Sequence, residues 1–442
     1  REVAAIGANL ALGPAVSVTR DGRWGRTYEG WGQHPGFQDG GSNTYIEAVQ
    51  STNPHTAPVL TCAKHYLADG QPIYGTGRSG GIDQGDVQLR EEILRKYHLP
   101  PYQRAIEADV ASIMVSFGKW KGTEMHHHDY LLKEVLKDEL GFQGIVLSDM
   151  GGFFETGEDP GERAISSFNS GVDMLMMRKD WRKTHAAVLA AVRRGEITQE
   201  RLDEAVGRIL HIKDRLVVRQ VEKTPANLLG IGGNWRKSHF SHAARIAATT
   251  LVELKNEKNA LPFDPAAKTM VVGRKAVHAG FMCGGWTINW GGLQEDDDPG
   301  QLNAIHVVDA LKTATSDAGG TVVHSAEFLP DSGASQYVVV VGERPTAEWR
   351  GDSECPALSQ EDIDLIESVA GQDKPTVVVI LGGRPLVIPP NTYAKADAWI
   401  MAWLPGSGGG VAIAEAVMGN IEMTGRLPMT WPAVCEAYSA PG

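Results

Sequence analysis

Short apolar runs alternate with amphipathic stretches along the first half of the chain. Such runs are typical of strands that are buried on both faces of a parallel sheet. Before residue 180 they fall at 15–18, 59–62, 111–115, 145–147 and 174–177. The pattern predicts an α/β domain in which strands and helices alternate.

One helix fits between the third and fourth runs. Asp129 is expected to cap it and Gly141 to end it. Its buried stripe is formed by Leu131, Leu132, Val135 and Leu136. Asp149 then follows the next run, at its C-terminal end. Alternating elements with polar residues at strand ends predict a (β/α)8-type barrel, whose chemistry lies at those ends. A closed barrel needs eight strands, so we expect this barrel to be incomplete at its N-terminus or some strands to be unrecognised.

The second half of the chain has the same alternating character. Buried strands are predicted at 270–273, 338–342 and 377–381, and Ser359 is expected to cap a helix with Ile363, Ile366 and Val369 on its apolar side. These elements predict an α/β sandwich domain. We therefore divide the chain into a barrel-like domain (1–215), a linker (216–262) and the sandwich (263–442). The linker contains one predicted helix, whose apolar side is Ala243, Ala244, Ala247, Leu251 and Leu254.

Charge and composition exclude several classes of protein. A formal net charge of -12 argues against binding to nucleic acid or to an anionic membrane. No apolar run is long enough to span a bilayer. The four cysteines form no CxxC pair, so zinc and redox motifs are absent, while the pairing of any disulfide stays open. The chain begins at Arg1 without a signal-peptide pattern, and we expect it to be processed or truncated.

Two acids are the main catalytic candidates. Asp149 at a strand end is suited to act as a nucleophile, a base or a metal ligand, although a helix cap or a surface acid is the alternative. Glu348 lies in a polar stretch, 342–352, that follows a predicted strand, where open α/β sheets bind ligands. A solvated loop is the alternative interpretation of that stretch.

Other polar and aromatic residues suggest a sugar site. Lys64 and His65 follow a strand and could donate to hydroxyl groups, although a histidine bonded to a backbone carbonyl is the alternative. Trp286 and Trp290 could stack on pyranose rings or simply fill a core. The charged segment 20–26 could be a salt-bridged loop.

Two further tracts have weaker interpretations. The histidine tract 126–128 is an improbable metal site because adjacent side chains point in different directions. The glycine-rich stretches 382–385 and 406–410 match no phosphate-binding motif, so no nucleotide or other cofactor is predicted.

Taken in order, the motifs resemble those of glycoside hydrolase family 3, in particular its exo-β-glucanases and β-glucosidases. They are Arg20-Asp21-Gly22-Arg23-Trp24-Gly25-Arg26, Ala63-Lys64-His65-Tyr66, Ser148-Asp149, Leu251-Val252-Glu253-Leu254-Lys255-Asn256, Cys283-Gly284-Gly285-Trp286-Thr287-Ile288, Gly383-Arg384-Pro385-Leu386, Ala402-Trp403-Leu404-Pro405-Gly406 and Gly425-Arg426-Leu427-Pro428-Met429-Thr430-Trp431. The resemblance implies a secreted or periplasmic retaining enzyme that releases glucose from the non-reducing ends of β-glucosides or β-glucan oligosaccharides.

The resemblance also implies roles for individual residues. Asp149 matches the nucleophile, and Glu348 matches the acid/base contributed by the second domain. The terminal glucose would be held by Arg26, Lys64 and His65, and the next sugar would contact Trp290, with Trp286 beside it. A retaining mechanism needs two carboxyl groups about 5–5.5 Å apart, so we expect the two acids to meet in a cleft between the domains.

Several departures from the family pattern leave alternatives open. The chain begins after the point where family members have an aspartate that grips the terminal glucose. Met150 replaces the usual aromatic residue after the nucleophile, and Phe117 replaces a common tyrosine. The main alternative is a degenerate, non-catalytic sugar-binding relative. An N-acetylhexosaminidase or a β-xylosidase of the same family is less favoured, the former because the run after His65 lacks its Asp-Ser-His signature. The sequence does not determine linkage preference or oligomeric state.

Overall fold

The chain divides into two units, each built around its own sheet. The computed structural model describes residues 2–51, 59–153, 159–217 and 235–439. One unit comprises Arg1–Trp24 and Glu29–Gly233, and the other comprises Gly25–Tyr28 and Asn234–Gly442. The short segment Gly25–Tyr28 therefore belongs with the second half of the chain, although it is embedded in the sequence of the first.

The main sheet of the first unit is parallel, with the strand order β1-β2-β4-β7. A small second sheet has the order β3-β5-β6. The strands are β1 Leu10–Ala11, β2 Leu60–Tyr66, β3 Asp86–Val87, β4 Ser112–Val115, β5 Lys119–Trp120, β6 Thr123–Glu124 and β7 Ile145–Leu147.

Three of the five runs predicted in this half form strands, namely β2, β4 and β7. The other two predictions were wrong as extended strands. Within 15–18 a single bridge joins Ala15 to Lys64, and within 174–177 a single bridge joins Met174 to Leu147. Both segments are apolar enough to be read as strands, but each meets its neighbour at only one ladder position.

Helices flank the strands of the first unit. They are Glu2–Ala5, Phe37–Gln50, Glu91–Ile93 continued by the π-type turn Leu94–His98, Pro100–Glu107, the π-type helix Tyr130–Glu139, Pro160–Asn169, Trp181–Arg194 and Gln199–Val217. The predicted helix after Asp129 is thus present, and its four predicted apolar residues are buried. Asp129 is not its cap, because its own backbone is helical and its side chain makes no capping bond. It forms an ion pair with Lys133 instead.

The second unit has one six-stranded sheet with the order β10-β9-β11-β12-β13-β8. All neighbouring strands are parallel except β13 and β8, which are antiparallel. The strands are β8 Val252–Asn256, β9 Lys268–Val272, β10 Thr321–Ser325, β11 Gln336–Gly342, β12 Thr376–Leu381 and β13 Ala398–Trp403. The three strands predicted here correspond to β9, β11 and β12.

Both faces of this sheet are covered, as the alternation of side chains in β11 demonstrates. Val338 and Val340 join one apolar core, whereas Val339 and Val341 join another. Because successive side chains of a strand point to opposite faces, helices pack on both sides. The described helices are Trp235–Thr250, Ala279–Cys283, Val307–Ser316, Gln360–Ala370, Pro390–Lys395 and Gly409–Val417. The Ser359 cap is confirmed, since its side chain accepts the N–H of Asp362.

Residues 235–262 of the segment predicted as a linker, 216–262, contribute structure to the second unit, whereas 216 and 217 end a helix of the first unit. Its predicted helix is Trp235–Thr250, and it is followed directly by β8, an edge strand of the sheet. Leu254, assigned to the helix in the prediction, lies in β8. Residues 218–234 lie outside the described residues. In the described ranges, no helix combines the length and apolar character that a bilayer-spanning segment needs.

Candidate active site

Asp149 follows β7, and both its backbone and its carboxylate are fixed by neighbours. Its Oδ1 accepts the N–H of Met150 at 2.6 Å. Its own N–H donates to Nε2 of His126 at 3.0 Å. The side chain is 15% exposed, so the carboxylate remains accessible while its orientation is restricted.

His126 is a buried acceptor behind Asp149. Burial, with smaller contributions from His127 and His65, lowers the pKa of His126 to about 3. The ring is therefore neutral near pH 7, and its Nε2 can accept the N–H of Asp149. Gly152 leaves room for it, since a Cβ at that position would lie 2.4 Å from Cε1 of His126.

His65 lies between two carboxylates in the first unit. Its Nε2 is 3.4 Å from Oδ2 of Asp149, and its Nδ1 is 2.7 Å from Oδ2 of Asp69. Ser116 in turn donates to Oδ1 of Asp69 at 2.5 Å. The structure thus brings together two predicted site residues, His65 and Asp149. Lys64 precedes His65 in β2 and is half-buried.

Arg26 lies on the segment that belongs with the second unit. Gly25 donates its N–H to Oδ1 of Asp352 at 2.8 Å, and the hydroxyl of Tyr28 donates to the carbonyl of Thr346 at 2.9 Å. These bonds attach the segment to the loop after β11. The Arg26 side chain is buried, and its guanidinium carbon lies 6.0 Å from the ring centroid of Trp286.

Glu348 begins a short 3₁₀ turn, Glu348–Gly351, in the loop after β11. Its φ is +52°, a left-handed conformation that is uncommon outside glycine. Arg384 supports this loop: its Nε donates to Oε1 of Glu343 at 3.0 Å, and its Nη2 donates to the carbonyl of Gly351 at 2.6 Å. Glu348 is half-buried in this unit.

An indole-rich loop accompanies the Glu348 turn. Trp286 donates its backbone N–H to the carbonyl of Trp290 at 3.1 Å, and Trp286 is 49% exposed. Trp290 packs on Trp349 with ring centroids 5.1 Å apart, and the Arg350 guanidinium lies 5.0 Å from the Trp290 centroid. The two predicted indoles are therefore neighbours on the surface of the second unit. Trp286 and Ile288 also have left-handed backbones, at φ +63° and +67°. Non-glycine residues held in this region cluster at functional sites.

The other predicted candidates are distributed differently. In the charged cluster, Arg23 forms a short-range ion pair with Asp21 at 2.6 Å, as expected of a salt-bridged loop. The three histidines of the tract point apart: His126 faces Asp149, His127 lies 3.0 Å from the Ser166 hydroxyl, and His128 stacks on Trp120. Across the described parts of the chain, no group of three or more His, Cys, Asp or Glu side chains is placed to bind a metal ion.

Sequence reasoning missed several residues of these clusters. Asp69 was not singled out as a site residue, although it lies four residues after His65, and its second partner, Ser116, is 47 residues away. His126 was considered only as part of a histidine tract, and its partner Asp149 is 23 residues away. Trp349 follows Glu348 directly and was passed over because only the charged residues of that stretch were considered.

The chain thus has two α/β units, one with a carboxylate at a strand end and the other with an exposed indole loop. Comparison with family models identifies the family. The glycosyl hydrolase family 3 N-terminal domain matches residues 1–212, and the C-terminal domain of the same family matches 251–441. The chain belongs to glycoside hydrolase family 3, which confirms the resemblance seen in its motifs.

Individual relatives are similar over nearly the whole chain. The structure of the Q683A mutant of exo-1,3/1,4-beta-glucanase (ExoP) from a Pseudoalteromonas species is 30% identical, with a TM-score of 0.86, and the match covers 98% of this chain and 70% of that one. The lysosomal beta glucosidase of Dictyostelium discoideum is 28% identical, over 100% of this chain and 56% of the relative. The periplasmic beta-glucosidase of Salmonella typhimurium is 27% identical, over 98% of this chain and 60% of the relative. The chain thus spans less than two thirds of the length of these two curated relatives.

Proposed function

We propose that this protein is a retaining, exo-acting hydrolase of β-D-glucosidic bonds that releases glucose from non-reducing ends. The names of its relatives, beta-glucosidase and exo-1,3/1,4-beta-glucanase, support this substrate class. The observation with the greatest weight is the placement of Asp149 after β7, with Met150, His65 and His126 fixing its orientation. A nucleophile must be aimed as well as present, because a misplaced carboxylate loses most of its effective concentration.

In this proposal Asp149 attacks the anomeric carbon and displaces the leaving oxygen. Glu348 first donates a proton to that oxygen and then accepts one from the water that hydrolyses the glycosyl ester. The left-handed backbone of Glu348 supports its assignment, since such conformations are retained mainly where function requires them.

The sugar contacts are assigned in the same way. Arg26, Lys64 and His65 are proposed to bind the hydroxyl groups of the terminal glucose. Trp290 is proposed to stack on the next sugar, with Trp286 beside it. The packing of Trp290 on Trp349 would hold its indole in a fixed plane, as stacking on a pyranose face requires.

We also infer a (β/α)8-type barrel origin for the first unit. Its main sheet has parallel strands in chain order, β1-β2-β4-β7, and the bridge between Leu147 and Met174 continues that order. Sequential parallel strands with intervening helices are typical of such barrels.

An oxidising compartment is part of the proposal. The second unit contains a disulfide between Cys355 and Cys435, and structural disulfides are typical of secreted, periplasmic or lumenal proteins. The relatives named lysosomal and periplasmic support the same location.

The experiment is a kinetic comparison of wild type, Asp149→Ala and Glu348→Ala on aryl β-glucosides. Asp149→Ala should lose activity on every aglycone. Glu348→Ala should retain more activity on dinitrophenyl than on nitrophenyl glucoside, because a better leaving group needs less proton donation. Added azide should rescue each variant with opposite stereochemistry, giving α-glucosyl azide with Asp149→Ala and β-glucosyl azide with Glu348→Ala.

One observation favours a non-catalytic sugar-binding relative as a second candidate. Met150, where an aromatic residue was expected, is 48% exposed and offers no ring for a sugar. If wild type and Asp149→Ala hydrolyse aryl glucosides equally slowly, and both bind glucose or laminaribiose, this candidate replaces the first. Aryl xylosides and N-acetylglucosaminides in the same panel distinguish the other branches of the family.

A further inference from the structure

Asp69 lies at the centre of a buried chain of polar groups that ends at Asp149. Its Oδ1 accepts the Ser116 hydroxyl at 2.5 Å, and its Oδ2 is 2.7 Å from Nδ1 of His65. The opposite nitrogen of the same ring, Nε2, is 3.4 Å from Oδ2 of Asp149. The side chains of Asp69 and His65 are only 11% and 4% exposed, so solvent competes weakly with these contacts.

The backbone around Asp69 is held rigidly. Ala68 and Gly70, its neighbours, have φ of +72° and +76°. A Cβ at Gly70 would lie 2.7 Å from the ring of Trp24, which is itself fully buried. The turn that carries Asp69 therefore requires glycine at position 70 and packs against a buried indole.

The chemistry of the imidazole makes this contact informative. A carboxylate can only accept, so a bond between Asp69 and Nδ1 of His65 requires the proton to be on Nδ1. A carboxylate that accepts from one ring nitrogen fixes the orientation of the ring and the role of the other nitrogen. The nitrogen so directed, Nε2, is the one that faces Asp149.

We propose that Asp69 is a positioning residue of the hydrolase, which acts on the reaction through His65. This rests on the proposed function, because it takes His65 as a contact of the terminal glucose and Asp149 as the nucleophile. Asp69 acts by setting the plane of this ring and by keeping a proton on its Nδ1. Ser116 completes the arrangement by holding the second oxygen of Asp69.

The test is a double-mutant cycle between positions 69 and 65 in the full chain, with dinitrophenyl β-glucoside as substrate. Asp69→Leu keeps the approximate shape but removes the acceptor, and Asp69→Asn keeps an oxygen that can accept from Nδ1. With His65 intact, Asp69→Leu should lower kcat/KM about 10- to 100-fold, whereas Asp69→Asn should retain most of the wild-type kcat/KM. In a His65→Ala background, Asp69→Leu should cost less than about 3-fold, because the residue through which it acts has been removed.

A matched control is Asp159→Ala, which removes a helix cap in the same unit. Its effect on kcat/KM should be small and equal in both backgrounds. Equal losses from Asp69→Leu with and without His65, or no loss in wild type, would overturn the proposal. If Asp69→Leu does not fold, Ser116→Ala, which removes the donor to Oδ1 of Asp69, makes the same comparison in both backgrounds. Full activity of Asp149→Ala would instead refute the proposed function, so the two failures are distinguishable.

Discussion

The backbone N–H of Asp149 donates to Nε2 of His126 over 3.0 Å, and this bond anchors the residue from behind. His126, the first residue of the histidine tract 126–128, is thus a buried hydrogen-bond acceptor. Burial keeps it neutral, because its pKa is lowered to about 3. The proposed nucleophile is aimed by a residue that would not itself contact the substrate.

Replacing His126 should therefore affect catalysis through geometry. His126→Phe keeps a ring but leaves the N–H of Asp149 without its acceptor, which should cost about 1–3 kcal/mol of stability. We expect kcat to fall at least 10-fold, with a smaller change in KM, as measured on an aryl β-glucoside. His128→Phe is the control, since that ring stacks on Trp120, and it should stay within about 2-fold of wild type. Unchanged kcat in His126→Phe would contradict this role.

A second buried histidine should make stability depend on pH. His98 is 2% exposed, and within the described residues neither of its ring nitrogens has a hydrogen-bond partner. Burial, followed by the charge of Arg20, lowers the pKa of His98 to about 3. Between about pH 6.5 and 3 the unfolded chain protonates His98 and the folded chain does not. The free energy of unfolding is therefore unaffected by His98 above pH 6.5 and decreases as the pH falls from 6.5 towards 3.

This effect can be measured with His98→Leu. Protonation of His98 in the unfolded state should lower the free energy of unfolding of wild type by roughly 2 kcal/mol between pH 7.5 and pH 5. The decrease over the same pH range should be smaller by this amount in His98→Leu. Urea unfolding at the two pH values gives the comparison, with His185→Gln, at an exposed site, as the control. An identical pH difference in His98→Leu and wild type would rule the explanation out.

The disulfide should stabilise the loop that contains Glu348. Cys355 lies shortly after the turn Glu348–Gly351, and its link to Cys435 closes a sequence separation of 80 residues. Chain entropy alone predicts a loss of roughly 4.5 kcal/mol when the link is removed. The double variant Cys355→Ser/Cys435→Ser should unfold at lower denaturant and lose activity before it unfolds. Cys283→Ala, which removes an unpaired cysteine, should change neither property by a comparable amount.

The attachment of the segment Gly25–Tyr28 can be tested with one methyl group. A Cβ at Gly25 would lie 2.5 Å from Cα of Gly351 and 2.6 Å from the carbonyl oxygen of Glu348, both backbone atoms. Gly25→Ala should therefore cost about 1–3 kcal/mol and lower kcat/KM at least 10-fold, because Arg26 and the Glu348 turn must shift. Gly40→Ala is the control: its Cβ meets nothing within 4 Å, and in helix Phe37–Gln50 it should stabilise by about 0.5–1 kcal/mol. Equal behaviour of the two variants would show that the close approach is unimportant.

Local signals in the sequence predicted much of the fold. Strands β9, β11 and β12 contain buried runs of β-branched residues. The Ser359 cap could be predicted because its side chain binds a backbone N–H only three residues further along the chain. Predictions failed where local composition was ambiguous. Asp129 has the composition of a cap but a helical backbone, and 15–18 is apolar without a ladder.

Long-range packing could not be predicted from the sequence. Gly25 and Asp352 are 327 residues apart in the chain, and no periodicity links them. Likewise the bonds of His126 to Asp149 and of Asp69 to Ser116 join residues 23 and 47 positions apart, which no local pattern links. Asp149 and Glu348 could be singled out because each follows a recognisable strand, and His65 because of its motif, but the bond between His126 and Asp149 could not.

The central claim is that Asp149 forms a covalent ester with the glycosyl group. In 2,4-dinitrophenyl 2-deoxy-2-fluoro-β-glucoside the fluorine slows both steps, while the good leaving group keeps the first step fast, so the glycosyl-enzyme intermediate should accumulate. Mass spectrometry of the intact chain and its peptides then locates the label. We predict one fluoroglucosyl group per chain, on Asp149, and none in Asp149→Asn. Turnover of ordinary substrates with the label on another residue, or with no label at all, would contradict the account.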